Sequence, residues 1–274
     1  MHTPVLLQPA LDALNIRKGG LYIDATFGQG GYSREILKRG GRVLAIDYDG
    51  SQARWLNKSD KMILVVDNFS RIESLAKSYG FFPADGVVAD LGLSMDQLAG
   101  NGRGFSYKND QDPLDMRINK SSEVSGCDII NSYSQEKLYE VFSKNSEEVN
   151  SRSVADAVVV SRRIKKIETV GDLKKIIDGV VGREDARTKA RIFQALRIEV
   201  NQEFANLKLF LEGAVGVLKK EGRLVVVTFH SLEDRIVKSF ARNRGFKETG
   251  KKNFGFQKRS RFERSAMLRV ISKI

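Results

Sequence analysis

The residues best suited to chemistry lie in one short string, Asp24-Ala-Thr-Phe-Gly28-Gln-Gly30-Gly31-Tyr32-Ser33, which follows an apolar run and precedes a helical one. Glycines at such a junction let the backbone turn sharply and approach a ligand with no Cβ in the way, while the first amides of the helix supply donors. A nucleotide-type ligand fits this arrangement. Asp47 ends the next apolar run nineteen residues after Gly28, close to the spacing at which an acidic side chain bonds ribose hydroxyls. Two later runs end in Asp67-Asn68-Phe69 and in Asp90-Leu91-Gly92-Leu93-Ser94-Met95-Asp96-Gln97. In an open α/β sheet ligands bind beyond the carboxyl ends of the strands, so these residues are expected to converge on one crevice.

NAD and S-adenosylmethionine occupy the same crevice in related sheets. The dinucleotide fingerprint wants a third glycine or alanine five places after the first, where this chain has Ser33. Asp24 suits the ammonium of a methionine moiety, and it would repel a pyrophosphate; its other reading is a carboxylate that caps the loop. Tyr32 is either a ligand contact or an aromatic at the helix start. Phe69 either covers an adenine or belongs to the core, and Asp90 either faces a reacting methyl or caps a turn.

The elements that must hold these residues follow from periodicity. Strands are expected at Leu21 to Ala25, Arg42 to Ile46, Met62 to Val66 and Gly86 to Ala89, alternating with helices at Tyr32 to Arg39, Ser51 to Asn57 and Ile72 to Tyr79. Ser51 and Ser70 are the expected N-caps. This is the start of a doubly wound α/β sheet. Alternation then stops. Helical spacing appears at Gln135 to Phe142, Val154 to Ile167 and Leu173 to Val181, then in one long helix from about Arg191 to Lys219, closed by Gly222. Strands are expected again at Arg223 to Phe229 and Ala266 to Ile271.

The chain has 274 residues, 41% of them hydrophobic, enough for a large domain or two modest ones without disulfide staples. One cysteine, Cys127, and two histidines, His2 and His230, point to no disulfide and no metal site. Cys127 reads as a small buried residue. No apolar run approaches the roughly 20 residues of a spanning helix, and the start MHTPVLLQPALDAL carries no export signal. A cytoplasmic protein without a membrane partner is expected. Charge is uneven: residues 235–274 hold thirteen Lys and Arg against two Glu, while the rest is nearly balanced. That basic stretch is interleaved with Phe246, Phe254, Phe256 and Phe262. Such a pattern suits a nucleic acid, which offers phosphates to pair and bases to stack; its plain alternative is a solvated basic terminus.

Seven strings, in order from end to end, carry a family likeness: His2-Thr-Pro-Val-Leu-Leu7, Asp24-Ala-Thr-Phe-Gly-Gln-Gly-Gly31, Asp90-Leu-Gly-Leu-Ser94, Arg103-Gly-Phe-Ser106, Pro113-Leu-Asp-Met-Arg117, Phe193-Gln-Ala-Leu-Arg-Ile198 and Phe229-His-Ser-Leu-Glu-Asp-Arg-Ile-Val-Lys238. On them the chain resembles the RsmH (MraW) family of bacterial 16S rRNA cytosine-1402 N4-methyltransferases. The resemblance implies a Rossmann-like class I methyltransferase domain at residues 1–109 and 191–274, with an inserted helical substrate-recognition domain at 110–190. It implies S-adenosylmethionine as cofactor, held by Gly30, Gly31, Tyr32, Asp47, Phe69, Asp90 and Gln97; Asp24 and Gly28 join them from the residue reading above. Its partner would be 16S rRNA or the 30S subunit, and a homodimer is compatible with the sequence. Three departures stand out: Tyr32, where the family usually has histidine; the loop Asn109-Asp-Gln-Asp112; and Arg187-Thr-Lys-Ala-Arg191.

A base must leave its stack to reach a methyl donor, which asks for aromatic and arginine surfaces. Arg103, Phe105, Tyr107, Arg117 and His230 are the candidates, with Asp90 as the group that orients the amine. Their ordinary alternatives are ion pairs of Arg103 or Arg117 with Asp112 or Asp115, a core place for Phe105, and a cap formed by Ser231 with Asp234 beside His230. Two other functions compete: an NAD-dependent oxidoreductase and a non-catalytic RNA-binding assembly protein. If the basic stretch tracks phosphates, neutralising Lys251, Lys252, Lys258 and Arg259 weakens RNA binding and flattens its dependence on salt, measured as log Kd against log salt concentration. An unchanged slope would place the RNA path elsewhere.

Overall fold

A computed structural model describes residues 4–56, 59–93, 102–182, 185–244, 246–252 and 265–273. The chain forms two compact units, one from Met1–Gly92 and Phe204–Ile274 and the other from Leu93–Glu203.

The first unit is built on seven strands: β1 (Leu21–Asp24), β2 (Arg42–Asp47), β3 (Met62–Val66), β4 (Ala84–Asp90), β5 (Leu218–Thr228), β6 (Lys247–Lys252) and β7 (Met267–Ser272). Their order in the sheet is β3-β2-β1-β4-β5-β7-β6. The first five run parallel, and β7 is antiparallel to both of its neighbours. This is the doubly wound, Rossmann-like arrangement expected from the alternating pattern, with the order reversing at β1 and β4.

Side chains alternate between the two faces of a strand, and both faces here are apolar. Ile23, Leu44, Ile46, Val87, Ala89, Leu224 and Val226 pack on one side with residues of α3 (Ile72–Ser78), α9 (Glu203–Val217) and α10 (Ser231–Asn243). Tyr22, Val43, Ala45, Val88, Val225 and Val227 pack on the other with α1 (Leu7–Leu14) and α2 (Gly31–Lys38). Burial on both faces is what near-continuous Val, Ile and Leu runs require of a parallel sheet. Register places Asp24 opposite Ala45 and Val88, with Asp47 and Asp90 two residues further along their own strands. By the same alternation Asp24, Asp47 and Asp90 share the face of α1 and α2, at the carboxyl ends of three adjacent strands.

The second unit holds five described helices: α4 (Gly126–Ser132), α5 (Gln135–Ser146), α6 (Ser151–Ile164), α7 (Val170–Val181) and α8 (Ala186–Val200). Ser125 with Asp128 and Thr169 with Asp172 form reciprocal capping boxes. Leu138, Phe142, Val154, Val158, Leu173, Ile177, Ile192 and Leu196 are fully buried in one core, at the i, i+4 spacing of amphipathic helices.

Several expected elements differ. The long helix from Arg191 to Lys219 is two helices, broken at Asn201 and Gln202. Asn201 donates to the Met116 carbonyl at 2.8 Å and accepts from the Ile118 amide at 2.8 Å, and Gln202 takes a left-handed φ of 49°. Tertiary hydrogen bonds, not Gly or Pro, interrupt the helix. The segment 219–222, expected to end that helix, lies inside β5. Helix starts are capped by Asp49 and Asn68, whose side chains accept from the amides of Ser51 and Ser70; the serines receive the caps expected of them. Strand β6 was hidden within the basic stretch. Among the described residues no helix is long and apolar enough to cross a membrane.

Arg269 on β7 is 2% exposed and donates through Nε and Nη2 to both oxygens of Asp234 on α10, at 2.6 and 2.7 Å. Asp234→Ala removes the carboxylate from a buried guanidinium, and the expected loss is about 3 kcal/mol. It is read as a lower urea midpoint at unchanged slope.

Candidate active site

The chain turns sharply after β1 and is stitched to its neighbours at each step. The Ala25 amide donates to the Val88 carbonyl at 2.8 Å and the Phe27 amide to the Ile46 carbonyl at 2.9 Å. Gly28 and Gly30 adopt φ of 52° and 74°, the left-handed region in which glycine is unstrained. A Cβ on Gly31 would lie 2.5 Å from Pro4 Cγ, so the start of α2 seats directly on the N-terminal segment. The turn itself is held by carboxylates. Asp24 Oδ2 accepts from the Ser33 amide at 3.1 Å and the Ser33 hydroxyl at 2.6 Å, and Asp47 Oδ2 accepts from the Gly28 amide at 2.7 Å. Asp47 Oδ1 accepts from the Asp49 amide at 2.8 Å. At β4 the Asp90 amide donates to Thr26 Oγ1 at 2.7 Å.

Three acids thus line the ends of β2, β1 and β4. Burial pushes Asp24 up to about 7, with repulsion from Asp47 adding to it and hydrogen bonds from Ser33 and Thr26 opposing it. Burial also raises Asp47 to about 6, against the amides of Gly28 and Asp49. Asp90 is raised to about 7 by burial first and then by the charge of Asp24. No lysine or arginine is among the leading influences on any of them; Arg34, on α2, is turned to the Gln29 carbonyl. Nor do the described residues hold any group of three side chains placed to bind a metal ion. The row is an acidic lining whose members burial holds partly protonated near neutral pH.

The structure therefore brings Asp24, Gly28, Gly30, Gly31, Tyr32, Asp47 and Asp90 together in the first unit. Phe69 belongs to the same unit, half-buried and packed at a tilt of 39° on Phe210 with ring centroids 4.8 Å apart. Gln97 lies outside the described residues. Asp24 is fully buried, and its carboxylate accepts from Ser33 and from the Thr26 amide, so it shapes the turn. The Tyr32 side chain is likewise interior, 2% exposed. What α2 offers outward at that position is its backbone, since the first amides of a helix lack intrahelical partners.

The five candidates for substrate contact are mostly engaged otherwise. Arg103 is buried, donates to the carbonyls of Arg117 and Ile118 at 2.9 and 3.0 Å, and lies over the Phe105 ring. Neither Asp112 nor Asp115 is its hydrogen-bond acceptor in these contacts. Phe105 is core, and Tyr107 meets Phe193 edge-on at 6.0 Å. Arg117 forms a two-pronged pair with Asp115 at 2.6 and 3.1 Å. Those four belong to the second unit. His230, in the first, is the N-cap of α10: its Nδ1 accepts from the Glu233 amide at 3.4 Å, and Glu233 reaches back to the amides of Phe229 and His230. The capping box sits one residue earlier than the expected Ser231 with Asp234, because Asp234 is taken by Arg269. Thr26 and Ser33 were not anticipated as parts of the site; a hydroxyl two residues after Asp24, and another at the fingerprint's third position, were the available signals.

The MraW methylase family model matches residues 1–273. The chain belongs to the MraW methylase family. Proteins named ribosomal RNA small subunit methyltransferase H are similar to it: that of Bacteroides fragilis is 44% identical over 242 residues, 87% of this chain and 79% of that one. The Thermomicrobium roseum protein is 46% identical over 251 residues, 88% and 77% of the two chains. An rRNA methylase structure from Streptococcus thermophilus aligns over 100% of this chain and 99% of that one, with a TM-score of 0.45 and 9% identity. The likeness drawn from the seven strings therefore holds for this methylase across its length.

Asp90 near 7 when folded, against an ordinary value near 4 in the unfolded chain, makes the folded methylase bind more protons between those limits. Its contribution then lowers stability as pH rises from about 4 to about 7 and is level above. Asp90→Asn removes that penalty, so the variant's melting temperature rises relative to the parent between about pH 5 and about pH 8 in scanning calorimetry. A constant difference would contradict the assignment.

Proposed function

We propose that this methylase transfers a methyl group from S-adenosylmethionine to the exocyclic N4 amine of cytosine 1402 in 16S rRNA. Family membership supports methyl transfer, and the names of its relatives support the small-subunit rRNA. The observation that carries the cofactor reading is the placement of Asp24, Asp47 and Asp90 at the ends of three adjacent strands around the glycine turn. S-adenosylmethionine is a net cation and supplies an electrophilic methyl on sulfur. The same row repels the pyrophosphate of NAD, which weighs against an oxidoreductase.

Each residue then has a task. The amides of Gly31 and Tyr32, at the N-terminus of α2, face a carboxylate favourably. Asp47 accepts from the Gly28 amide on one oxygen and the Asp49 amide on the other, and its place at the strand end suits a ribose hydroxyl. Phe69, backed by Phe210, presents an aromatic surface to an adenine, and Gln97 completes the set on the family pattern. Gly28 and Gly30 keep the turn open.

The amine of cytosine is a weak nucleophile because its lone pair is shared with the ring, so alignment dominates the barrier. Holding reactants in line removes on the order of 7 to 11 kcal/mol from a bimolecular step. Asp90 hydrogen-bonds the amine and favours the positive charge that develops on it, with a carbonyl at Leu91 or Gly92 assisting. The inserted helical segment 110–190, within the second unit, is the substrate-recognition domain; Tyr107, half-buried, is the aromatic candidate for a displaced base beside it in sequence. The basic residues within 235–274 supply phosphate contacts, and the substrate is 16S rRNA, free or in the 30S subunit, in a bacterial cytoplasm.

Mass mapping of 16S rRNA from cells with and without the protein tests this. The N4-methyl mark at position 1402 is expected to disappear without the protein, and return on adding protein and S-adenosylmethionine to the undermethylated 30S subunits. A mark that persists, or one restored at another nucleotide, overturns the assignment.

A further inference from the structure

Two enclosed polar atoms at the candidate site have no hydrogen-bond partner: Tyr32 Oη and Asp90 Oδ1. They belong to facing groups, for Tyr32 and Asp90 each lie within the other's electrostatic reach. Thr228 Oγ1, one residue past the β5 partner of Asp90, also lacks a partner; the other polar groups nearby are engaged. Asp24 accepts from Ser33 and Thr26, the Asp90 amide is anchored on Thr26, and Glu233 is spent on the amides that open α10. Two orphans of complementary chemistry on neighbouring groups point to a hydrogen bond between them.

Chemistry gives that bond one direction. A carboxylate only accepts, and a phenol has one proton to donate. The Tyr32 ring is locked among Phe27, Val88 and the other apolar residues beneath α2, so the hydroxyl has no path to solvent. We propose that Tyr32 is a positioning residue for the transfer: its hydroxyl donates to Asp90 Oδ1 and fixes the carboxylate with its other oxygen turned to the incoming amine. This rests on the reading of Asp90 as the group that receives the amine. Tyr32 therefore acts through Asp90 and touches neither substrate nor donor with its side chain.

The charges facing Asp90 explain why it needs such a donor. Asp24 on β1 and Glu233 at the start of α10 both repel its ionised form, Asp47 adds charge through Asp24, and Tyr32 on α2 alone among these groups stabilises it. Loss of the phenol proton donor leaves a carboxyl group that is freer to rotate and easier to protonate.

The test compares the parent, Tyr32→Phe, Asp90→Asn and the double variant in methyl transfer to undermethylated 30S subunits across pH, with S-adenosylmethionine affinity measured by calorimetry. Tyr32→Phe preserves the ring, so its donor Kd is expected within about threefold of the parent, which also shows that the pocket is folded. Its kcat at neutral pH falls about tenfold, and the acidic limb of its pH profile moves up by about one pH unit. The double variant is no slower than Asp90→Asn alone, as required of residues acting in one chain. Three results would overturn the proposal: a parental kcat and limb in Tyr32→Phe, losses that multiply in the double variant, or a donor Kd weakened more than about thirtyfold with the limb unmoved. Parental turnover in Asp90→Asn instead removes the Asp90 reading itself and this proposal with it, so the two failures are told apart.

Discussion

The hydrogen bonds from Ser33 to Asp24 are the constraint on which the site depends. They tie the last residue of β1 to the first turn of α2 across a glycine turn that Phe27 anchors in the core. With both the amide and the hydroxyl of Ser33 bound to one oxygen, the helix start is fixed relative to the sheet. The free amides of α2 then point where the strand ends point. Asp47 repeats the device from the neighbouring strand by accepting from Gly28, and Thr26 passes it to β4 by accepting from Asp90. One short loop is thereby clamped by three strands.

Clamping with carboxylates has an electrostatic price. The acids are close enough to raise one another, and burial prevents water from screening them. A site built this way is poorly satisfied when no cation is near it, and that dissatisfaction is a source of affinity and selectivity for a positively charged ligand. The same residues that shape the turn therefore also select what enters it. Shape and charge are not separable here.

Much of this was legible in the residues. The four early strands, the glycine turn and the acids at strand ends follow from two-residue alternation and from the spacing of Gly28 and Asp47. Ser33, by contrast, read only as a missing glycine, because its hydrogen bond to Asp24 depends on how the turn closes in space. The break at Asn201 was invisible for a related reason: it is caused by carbonyl and amide groups more than eighty residues earlier, with no local punctuation. Arg103, Phe105 and Arg117 looked like ligand-facing residues because Arg and Phe suit nucleic acid. They also suit the inside of a loop whose carbonyls need donors, and three-dimensional packing decides between the two. Strand β6 was masked by its charge, since lysine-rich sequence is usual in tails and equally usual on the outer strand of a sheet.

The insertion of β7 between β5 and β6 has a bearing on biosynthesis. The parallel strands that carry the acids emerge early during translation, but β5 keeps a bare edge until residues 267–272 have left the ribosomal tunnel. Completion of the sheet therefore waits on its last strand in chain order, and until that strand docks β5 keeps an unpaired edge along Val225 to Val227.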